Sequence, residues 1–249
     1  MKDAEGTSSH IAAGMCQSAD EWANRNRVLA DSLAELIHAS AQDAGGLAVE
    51  VGCQQGQLTD GIAERTPFDW SGIDPAISDR EFSSGGRLLQ HGYAHSLPLP
   101  DDAFACVLFA NVYEHVDPTQ RGPSMVEILR IVKPGGVVVG QLPNPYFPIE
   151  SHSRLPFMGW LPERLQKPYW RLSPAPWDHD FYVVTIRHLR RTAEEAGFRV
   201  EMTRKFNYPL EVIPESVRWA ARLLEAPMRI VPWAWQFVLR KPSVGNESP

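Results

Sequence analysis

The chain has 249 residues, of which 43% are hydrophobic and 22% are charged, so it is long enough to bury one sizeable core but not clearly two. Its formal net charge of −6 gives no general basic field, which argues against nucleic-acid binding and favours a small-molecule substrate. Its cysteines are widely spaced and no apolar run approaches the roughly 18 residues of a membrane span, so we expect a cytoplasmic protein without a transmembrane segment. Residues 1–249 are predicted to form one domain.

An N-terminal helix and a βαβ unit are the first elements predicted along the chain. Residues 1–17 have the composition of a flexible tail, and residues 18–43 repeat apolar side chains at the spacing of one helix face. The run from Leu47 to Glu50 is a short apolar strand that opens directly into a glycine-bearing turn, after which Gln57 begins a helix. A second strand follows and ends at Asp74.

The turn after the first strand has the features of a nucleotide-binding loop. Gly52 and Gly56 let the main chain approach a ligand closely because they carry no Cβ, and the next helix begins with unpaired N–H groups. Asp74 follows Gly52 by 22 residues, close to the offset of ~20 at which an acidic residue meets ribose hydroxyls. The glycine spacing differs from the G-x-G-x-x-G fingerprint of NAD-dependent enzymes, and no Gly-Lys-Ser/Thr follows. The pattern therefore favours another adenosine-bearing cofactor.

The alternation of strands and helices continues to residue 142 and predicts the α/β class. A short third strand is followed by a fourth at Phe104 to Ala110, and Ser124 and Glu127 have the spacing of a capping box for the next helix. A fifth strand covers Val137 to Leu142. We expect a doubly wound, mostly parallel sheet with a cofactor-binding core over residues 45–142. Its carboxyl-end rim would carry Glu50, Gly52, Asp74, Ala94 and Asn111.

Residues 143–182 interrupt this alternation. The segment is rich in proline and aromatic residues and adds several basic side chains, a composition suited to a lid over an apolar or extended acceptor. Residues 183–242 return to a helix and a strand, which we assign to the C-terminal part of the core and a cap. Residues 214–231 combine apolar residues with arginines; we interpret them as a helical cap, with peripheral membrane contact as the alternative.

Taken together, these motifs resemble the class I S-adenosylmethionine-dependent methyltransferases. The resemblance covers roughly residues 45 to 142 and depends on the segments EVGCQQGQLT, GIDP, AHSLPLPDDAF, NVYEHV and EILRIVKPGG. It implies a Rossmann-like sheet of seven strands with an antiparallel last strand at Trp233 to Leu239, and a lid insertion. It also implies S-adenosylmethionine as cofactor and S-adenosylhomocysteine as product.

The resemblance implies a role for each residue of the cofactor site. Glu50 would lie near the methionine amino group, and Asp74 would accept hydrogen bonds from both ribose hydroxyls. Ala94 and His95 would lie beside the adenine ring, and Asn111 near the methionine portion. Gly52 and Gly56 would permit close backbone approach.

Two positions depart from the family pattern. The middle glycine of the usual turn is Gln54, which we keep among the cofactor-binding residues, and the acidic residue usual before Ala94 is Tyr93. Tyr93 can stack on adenine but cannot replace a carboxylate acceptor. Both changes are compatible with a methyltransferase-like binding or scaffold protein that has lost turnover.

Transfer to an oxygen of a small molecule, a sugar or a natural-product intermediate is the reaction that we predict, with N- or C-methylation as an alternative. The acceptor is expected to be apolar or glycosylated. Methylation of an alcohol needs a base, and the candidates are His115, His152 and His179; each could instead have a structural role. No metal is predicted, because no acidic or histidine ligand cluster is evident in the sequence. The sequence does not indicate an oligomeric state.

Overall fold

A computed structural model describes residues 19–42, 45–150, 152–173, 181–213, 218, 222 and 230–243. The predicted tail and most of the predicted cap, residues 214–231, lie outside these ranges, so its membrane contact stays a prediction. Within the described ranges, no helix combines the length and apolar character that crossing a membrane requires. Cys53 and Cys106 are buried free thiols.

The predicted alternation of strands and helices is observed. The strands are β1 Gly46–Val51, β2 Phe68–Asp74, β3 Arg80–Phe82, β4 Leu88–His91, β5 Phe104–Ala110, β6 Val132–Pro143, β7 Arg199–Phe206 and β8 Ala234–Arg240. The helices are α1 Ala19–Ser40, α2 Gln57–Ala63, α3 Arg121–Ile131, α4 Glu163–Trp170 and α5 Ile186–Ala196.

All strands belong to one sheet, in the order β3-β4-β2-β1-β5-β6-β8-β7. The five strands from β4 to β6 are mutually parallel, β8 is antiparallel to β6, and β7 is antiparallel to β8. The chain winds outward from β1 through β2 to β4 and then returns to β5, so the strand order reverses between β1 and β5. Ligands of doubly wound sheets bind at the carboxyl ends of strands at such a reversal.

The sheet has eight strands rather than the seven expected. The additional strand is β3, a three-residue segment that pairs antiparallel with β4 at the edge of the sheet. All of its residues are exposed, and Phe82 is 70% exposed. Because β3 buries no alternating apolar face, it carries no strand pattern that the sequence could reveal.

Helices pack on both faces of the sheet. On one face, α1 contributes Leu33 and Ile37 to a core cluster that contains Val139 of β6. On the other face, Met125 of α3 and Leu189 of α5 are buried in a second cluster. Adjacent side chains of one strand enter opposite clusters because successive Cβ atoms alternate across a sheet. The central strands are therefore buried on both sides and read as continuous apolar runs.

The predicted capping box at the start of α3 was wrong. The helix begins at Arg121, ahead of Ser124 and Glu127, and the Ser124 hydroxyl donates to the Gln120 carbonyl at 2.8 Å from inside the first turn. A 3₁₀ turn precedes the helix, and its N-cap is Asp117, whose carboxylate accepts the Thr119 N–H. The chain thus turns before the serine is reached.

The lid segment has a small apolar core of its own. Its described part contains a 3₁₀ turn at Met158–Trp160 and the short helix α4. The buried residues of this core are Leu155, Met158, Trp170 and Phe181. The lid is joined to the segment after β5, because Tyr182 N–H donates to the Glu114 carbonyl at 2.8 Å.

Candidate functional site

A cavity opens at the carboxyl ends of β1 and β5, where the strand order reverses. Its walls come from α1, the β1–α2 turn, the segment after β5, the end of β6, the lid and two aromatic residues that flank β7 and β8. The lining residues are Arg25, Asn26, Leu29, Glu50, Gly52, Cys53, Gln54, Gln57, Leu58, Ala110, Asn111, Glu114, His115, Gln141, Pro143, His152, Tyr208 and Trp233.

Glu50 presents a carboxyl group to this cavity from the end of β1. Its side chain is only 3% exposed and accepts a hydrogen bond from the Thr59 hydroxyl. Burial raises the pKa of Glu50 from 4.5 to about 8, an effect that the negative charge of Asp74 reinforces and the Thr59 hydrogen bond opposes. A cation entering the cavity would stabilise the ionised carboxylate.

The turn after β1 is fastened to the end of β2. Asp74 accepts the N–H of Gln54 on one carboxylate oxygen and the N–H of Ala76 on the other, both at 2.8 Å. Gln54 has φ 51°, in the left-handed region that favours glycine. The glutamine therefore keeps a backbone conformation that glycine adopts readily, and the residue lines the cavity.

Steric demands at the two glycines come from neighbouring protein atoms. At Gly52, with φ +83°, a Cβ would lie 2.3 Å from Cγ2 of Val112. At Gly56, with φ +80°, a Cβ would lie 2.7 Å from Cβ of Ser83. Both positions thus require glycine for conformation and packing, whether or not a ligand approaches the turn.

The structure brings half of the predicted cofactor residues into the cavity wall. Glu50, Gly52, Gln54 and Asn111 line it, whereas Gly56, Asp74, Ala94 and His95 do not. Asp74 adjoins it through its bond to Gln54. Tyr93, 48% exposed, lies beyond the end of β4 and its ring centroid is 5.4 Å from that of His95.

The segment after β5 carries acidic and imidazole groups into the cavity. Asn111 takes a left-handed conformation with φ 56°, and a turn follows in which His115 N–H donates to the Val112 carbonyl. Glu114 is 3% exposed, and neither of its carboxylate oxygens has a hydrogen-bond partner among the described residues. Burial raises the pKa of Glu114, while the neighbouring His115 lowers it.

The lid contributes His152, which is held by Glu150. Glu150 accepts the backbone N–H groups of His152 and Ser153, and its Oε1 lies 2.7 Å from Nδ1 of His152. Burial alone would raise the pKa of Glu150, but the charge of His152 and these hydrogen bonds lower it to about 2. Phe181 stacks on the His152 ring, with the ring centroids 4.7 Å apart.

Two of the three predicted catalytic histidines meet. The ring centroids of His115 and His152 are 5.0 Å apart with an interplanar angle of 78°. One ligand atom from each of His115, His152 and Glu114 lies within 4.8 Å of the others. The fold thus assembles a possible ligand cluster that sequence spacing does not reveal, and the absence of a metal stays a prediction. His179 lies outside the described residues.

Sequence reasoning missed a cationic group in the cavity wall. Arg25 of α1 lines the cavity, with its guanidinium carbon 4.5 Å from the ring centroid of Tyr208 and 5.7 Å from that of Trp233. An arginine on an amphipathic helix ordinarily faces solvent, so the helical pattern of the sequence did not place Arg25 in a cavity. Because Glu50 also lines the cavity, its wall carries both an acidic and a basic group.

A family model described as a methyltransferase domain matches residues 22–203, well over half of the chain. The chain belongs to this methyltransferase family. The match spans the strands β1 to β6 and the lid, and it confirms the class I resemblance of the sequence motifs. S-adenosylmethionine is the methyl donor of this family, and the Glu50 carboxyl group in the cavity wall fits the ammonium group of this cofactor.

Solved structures share the fold of this methyltransferase. An S-adenosylmethionine-dependent methyltransferase from Mesorhizobium loti is 18% identical, with 85% of this chain and 100% of that chain covered and a TM-score of 0.56. A possible histamine N-methyltransferase from Thermotoga maritima is 16% identical over 93% of this chain and 99% of its own, with a TM-score of 0.56. Phosphoethanolamine N-methyltransferase 2 from Haemonchus contortus, in complex with S-adenosyl-L-methionine, is 15% identical over 88% of this chain and 53% of its own, with a TM-score of 0.56. Among curated proteins no significant match was found.

Proposed function

We propose that this methyltransferase is a cytoplasmic enzyme that methylates a hydroxyl oxygen of a small molecule, such as a sugar or a natural-product intermediate. The observation that carries the proposal is that His115 and His152 line the same cavity as Glu50 and Gln54. An alcohol must lose a proton during methylation, and an imidazole is the side chain that most often serves such a step. The buried free thiols Cys53 and Cys106 are consistent with a reducing compartment.

The β1 end of the cavity would hold S-adenosylmethionine, which supplies an electrophilic methyl group when bound. Glu50 would accept hydrogen bonds from the methionine ammonium, and Arg25 would pair with its carboxylate, since both groups line the cavity. Asp74 would accept hydrogen bonds from the ribose hydroxyls. Gly52, Gln54 and Asn111 would shape the wall, Gly56 would keep the turn behind it in its conformation, and Ala94, His95 and Tyr93 would lie beside the adenine.

The acceptor would enter on the lid side. Phe181, which belongs to the lid core, stacks on the His152 ring there. This packing would shield the imidazole from water. An in-line displacement needs the acceptor oxygen held near the methyl group, so positioning by the lid would contribute as much as proton removal. An apolar or glycosylated acceptor fits this mixture of aromatic and polar walls.

The direct test is to identify the methylated atom. Purified protein would be incubated with methyl-labelled S-adenosylmethionine and paired small molecules that differ only in carrying a hydroxyl or an amine. We expect an O-methyl product and one equivalent of S-adenosylhomocysteine, detected by mass spectrometry. Methylation of the amines alone would contradict the proposal and indicate an N-methyltransferase. Asp69→Ala, a change at an exposed residue of β2, provides a control variant.

A binding or scaffold protein without turnover is the second candidate. Gln54 at a left-handed position and Tyr93 in place of the usual carboxylate favour it. Calorimetric titration with S-adenosylmethionine and S-adenosylhomocysteine measures cofactor binding, and a screen of acceptor classes then separates the candidates. Saturable binding without methyl transfer to any acceptor class would support the scaffold, whereas transfer would exclude it.

A further inference from the structure

We propose that Glu114, His115 and His152 bind a divalent transition-metal ion at the acceptor end of the cavity. All three residues line the cavity, and one ligand atom from each lies within 4.8 Å of the others. Two residues come from the turn after β5 and the third from the lid, so a bound ion would join the lid to the sheet. The role of the ion rests on the proposed O-methylation, whereas its binding does not.

Glu114 provides the strongest sign that the cluster receives a cation. It is only 3% exposed, and within the part of the chain that the structure describes neither carboxylate oxygen has a hydrogen-bond partner. Buried carboxylates are normally satisfied by donors or by a cation, because an unpaired one costs several kcal/mol. Since Glu114 lines the cavity, an ion bound among the three residues would supply the partner that its carboxylate lacks.

His152 is oriented as metal-binding histidines usually are. Its Nδ1 lies 2.7 Å from Oε1 of Glu150, and Glu150 also accepts two backbone N–H groups of the same loop. A carboxylate that accepts these bonds makes Nδ1 the donor, which leaves the lone pair on Nε2. Carboxylate–histidine pairs of this kind fix the ring and raise its basicity toward a metal.

The donor set selects the kind of ion. Two imidazoles and one carboxylate suit Zn²⁺, Fe²⁺, Co²⁺ or Ni²⁺, whereas Mg²⁺ and Ca²⁺ prefer oxygen ligands. Zinc lies about 2.0–2.2 Å from such ligands, so small side-chain rotations would draw the three atoms together. Three protein ligands leave positions open toward the cavity.

An ion at this place would define the acceptor as a hydroxyl compound. A divalent cation favours the deprotonated form of a hydroxyl that contacts it, and the released proton would pass to solvent. The acceptor oxygen would then form the new carbon–oxygen bond as the sulfur–methyl bond breaks, with that electron pair remaining on sulfur. Under this arrangement the ion held by His115 and His152 would promote the deprotonation that an imidazole would perform in its absence, so the two histidines serve the same reaction as ligands.

Metal binding can be measured without an acceptor. Untagged protein treated with a chelator and desalted would be titrated with cobalt(II) chloride while visible absorbance is recorded, and with zinc(II) chloride by calorimetry. We expect one ion per chain and a cobalt spectrum of nitrogen and oxygen ligands without thiolate bands. Absence of saturable binding, or a spectrum dominated by thiolate bands, would overturn the proposal.

Substitutions at the three residues and their neighbours test which side chains bind the ion. Glu114→Gln and His152→Gln should each weaken the ion by at least 100-fold, and Glu150→Gln by about 10- to 100-fold through loss of orientation. His38→Gln alters a histidine on α1 that bonds the Arg65 carbonyl, and should bind the ion like the unaltered chain. Circular dichroism would establish that each variant is folded. Unchanged affinity in both Glu114→Gln and His152→Gln would overturn the assignment, and so would a loss of affinity in His38→Gln equal to theirs.

The metal site and the proposed function can fail separately. O-methylation that proceeds equally in chelator-treated protein, together with no saturable cobalt binding, would remove the metal site and leave the function. Stoichiometric cobalt binding with methylation of amines only would keep the site and remove the function. Binding of S-adenosylmethionine is measured by calorimetry on the same metal-free samples, so loss of the cofactor site would be detected directly.

Discussion

Gln141 and Gln236 face each other across the β6–β8 pair, and their side-chain amides hydrogen-bond at 3.3 Å although the residues are 95 positions apart in sequence. Both residues are buried, and most of their neighbours along the two strands are apolar. Gln141 also donates to Asn111 in the cavity wall at 3.2 Å, and Gln236 accepts from Arg204 at 2.9 Å. A chain of polar contacts thus runs from the cavity through the sheet to β7.

Replacement of Gln236 by leucine should destabilise the protein by about 1–3 kcal/mol, because Oε1 of Gln141 and the Arg204 guanidinium both lose a buried partner. The free energy of unfolding from urea titration measures this cost. Gln141→Leu combined with Gln236→Leu should cost less than the sum of the single changes, because the two amides satisfy each other. Additive costs would show that the amides are not coupled.

The fold was predictable where the local pattern and the burial agree. Strand β5 was expected at Phe104 to Ala110 and is found there, because all seven of its residues are buried and apolar. The antiparallel last strand was also expected and is β8. Strand β3 and the start of α3 were missed, since an exposed edge pairing and an early turn leave no periodic signal.

The candidate site was predictable only in part. Glu50, Gln54 and Asn111 were found because they follow strands whose carboxyl ends meet at one edge. The contact between His115 and His152, whose ring centroids are 5.0 Å apart, depends on how the lid folds back. No periodic pattern in the sequence predicts how the lid folds back. Glu114 and Glu150 therefore could not be recognised as partners of these histidines.

Glu50→Gln should stabilise the protein at neutral and mildly alkaline pH. The folded chain keeps the Glu50 proton up to a pKa of about 8, whereas the ordinary value is 4.5. The folded state therefore binds more protons than the unfolded state between these values, and stability falls as pH rises through that window. Glutamine removes this dependence while still accepting the Thr59 hydrogen bond.

Melting temperatures of Glu50→Gln and the unaltered chain would be compared from pH 5 to pH 9. The difference should be small near the acidic end and increase in favour of Glu50→Gln toward pH 8. Glu194→Gln, a change on the exposed side of α5, removes a carboxyl group that is not buried and serves as the matched control. A difference that is independent of pH would show that Glu50 is ionised in the fold.

Asp74→Ala should weaken S-adenosylmethionine binding by about 1.5–3 kcal/mol, the usual contribution of hydrogen bonds to a charged group. It should also destabilise the turn after β1, because the N–H groups of Gln54 and Ala76 lose their acceptor. Calorimetry and urea unfolding measure the two effects separately. Asp69→Ala on the same strand is the control, and unchanged affinity in Asp74→Ala would remove Asp74 from the cofactor site.

Gly52→Ala should destabilise the protein by about 1–3 kcal/mol, because the new Cβ would lie 2.3 Å from Cγ2 of Val112. Gly86→Ala isolates the conformational part of this cost, since Gly86 has φ +78° and nothing lies within 4 Å of its added Cβ. We expect the Gly52 change to cost more than the Gly86 change in urea unfolding.

The extra cost of Gly52→Ala over Gly86→Ala should diminish when Gly52→Ala is made in a Val112→Ala background, because the overlapping methyl group is then absent. An equal cost of Gly52→Ala in both backgrounds would exclude Val112 as its source. Titration of the double variant with the cofactor tests whether Gly52 is required for packing or for ligand binding. If cofactor affinity and stability are both restored in the double variant, Gly52 serves the packing of the turn. If stability is restored but cofactor affinity is not, the ligand itself requires the space beside Gly52.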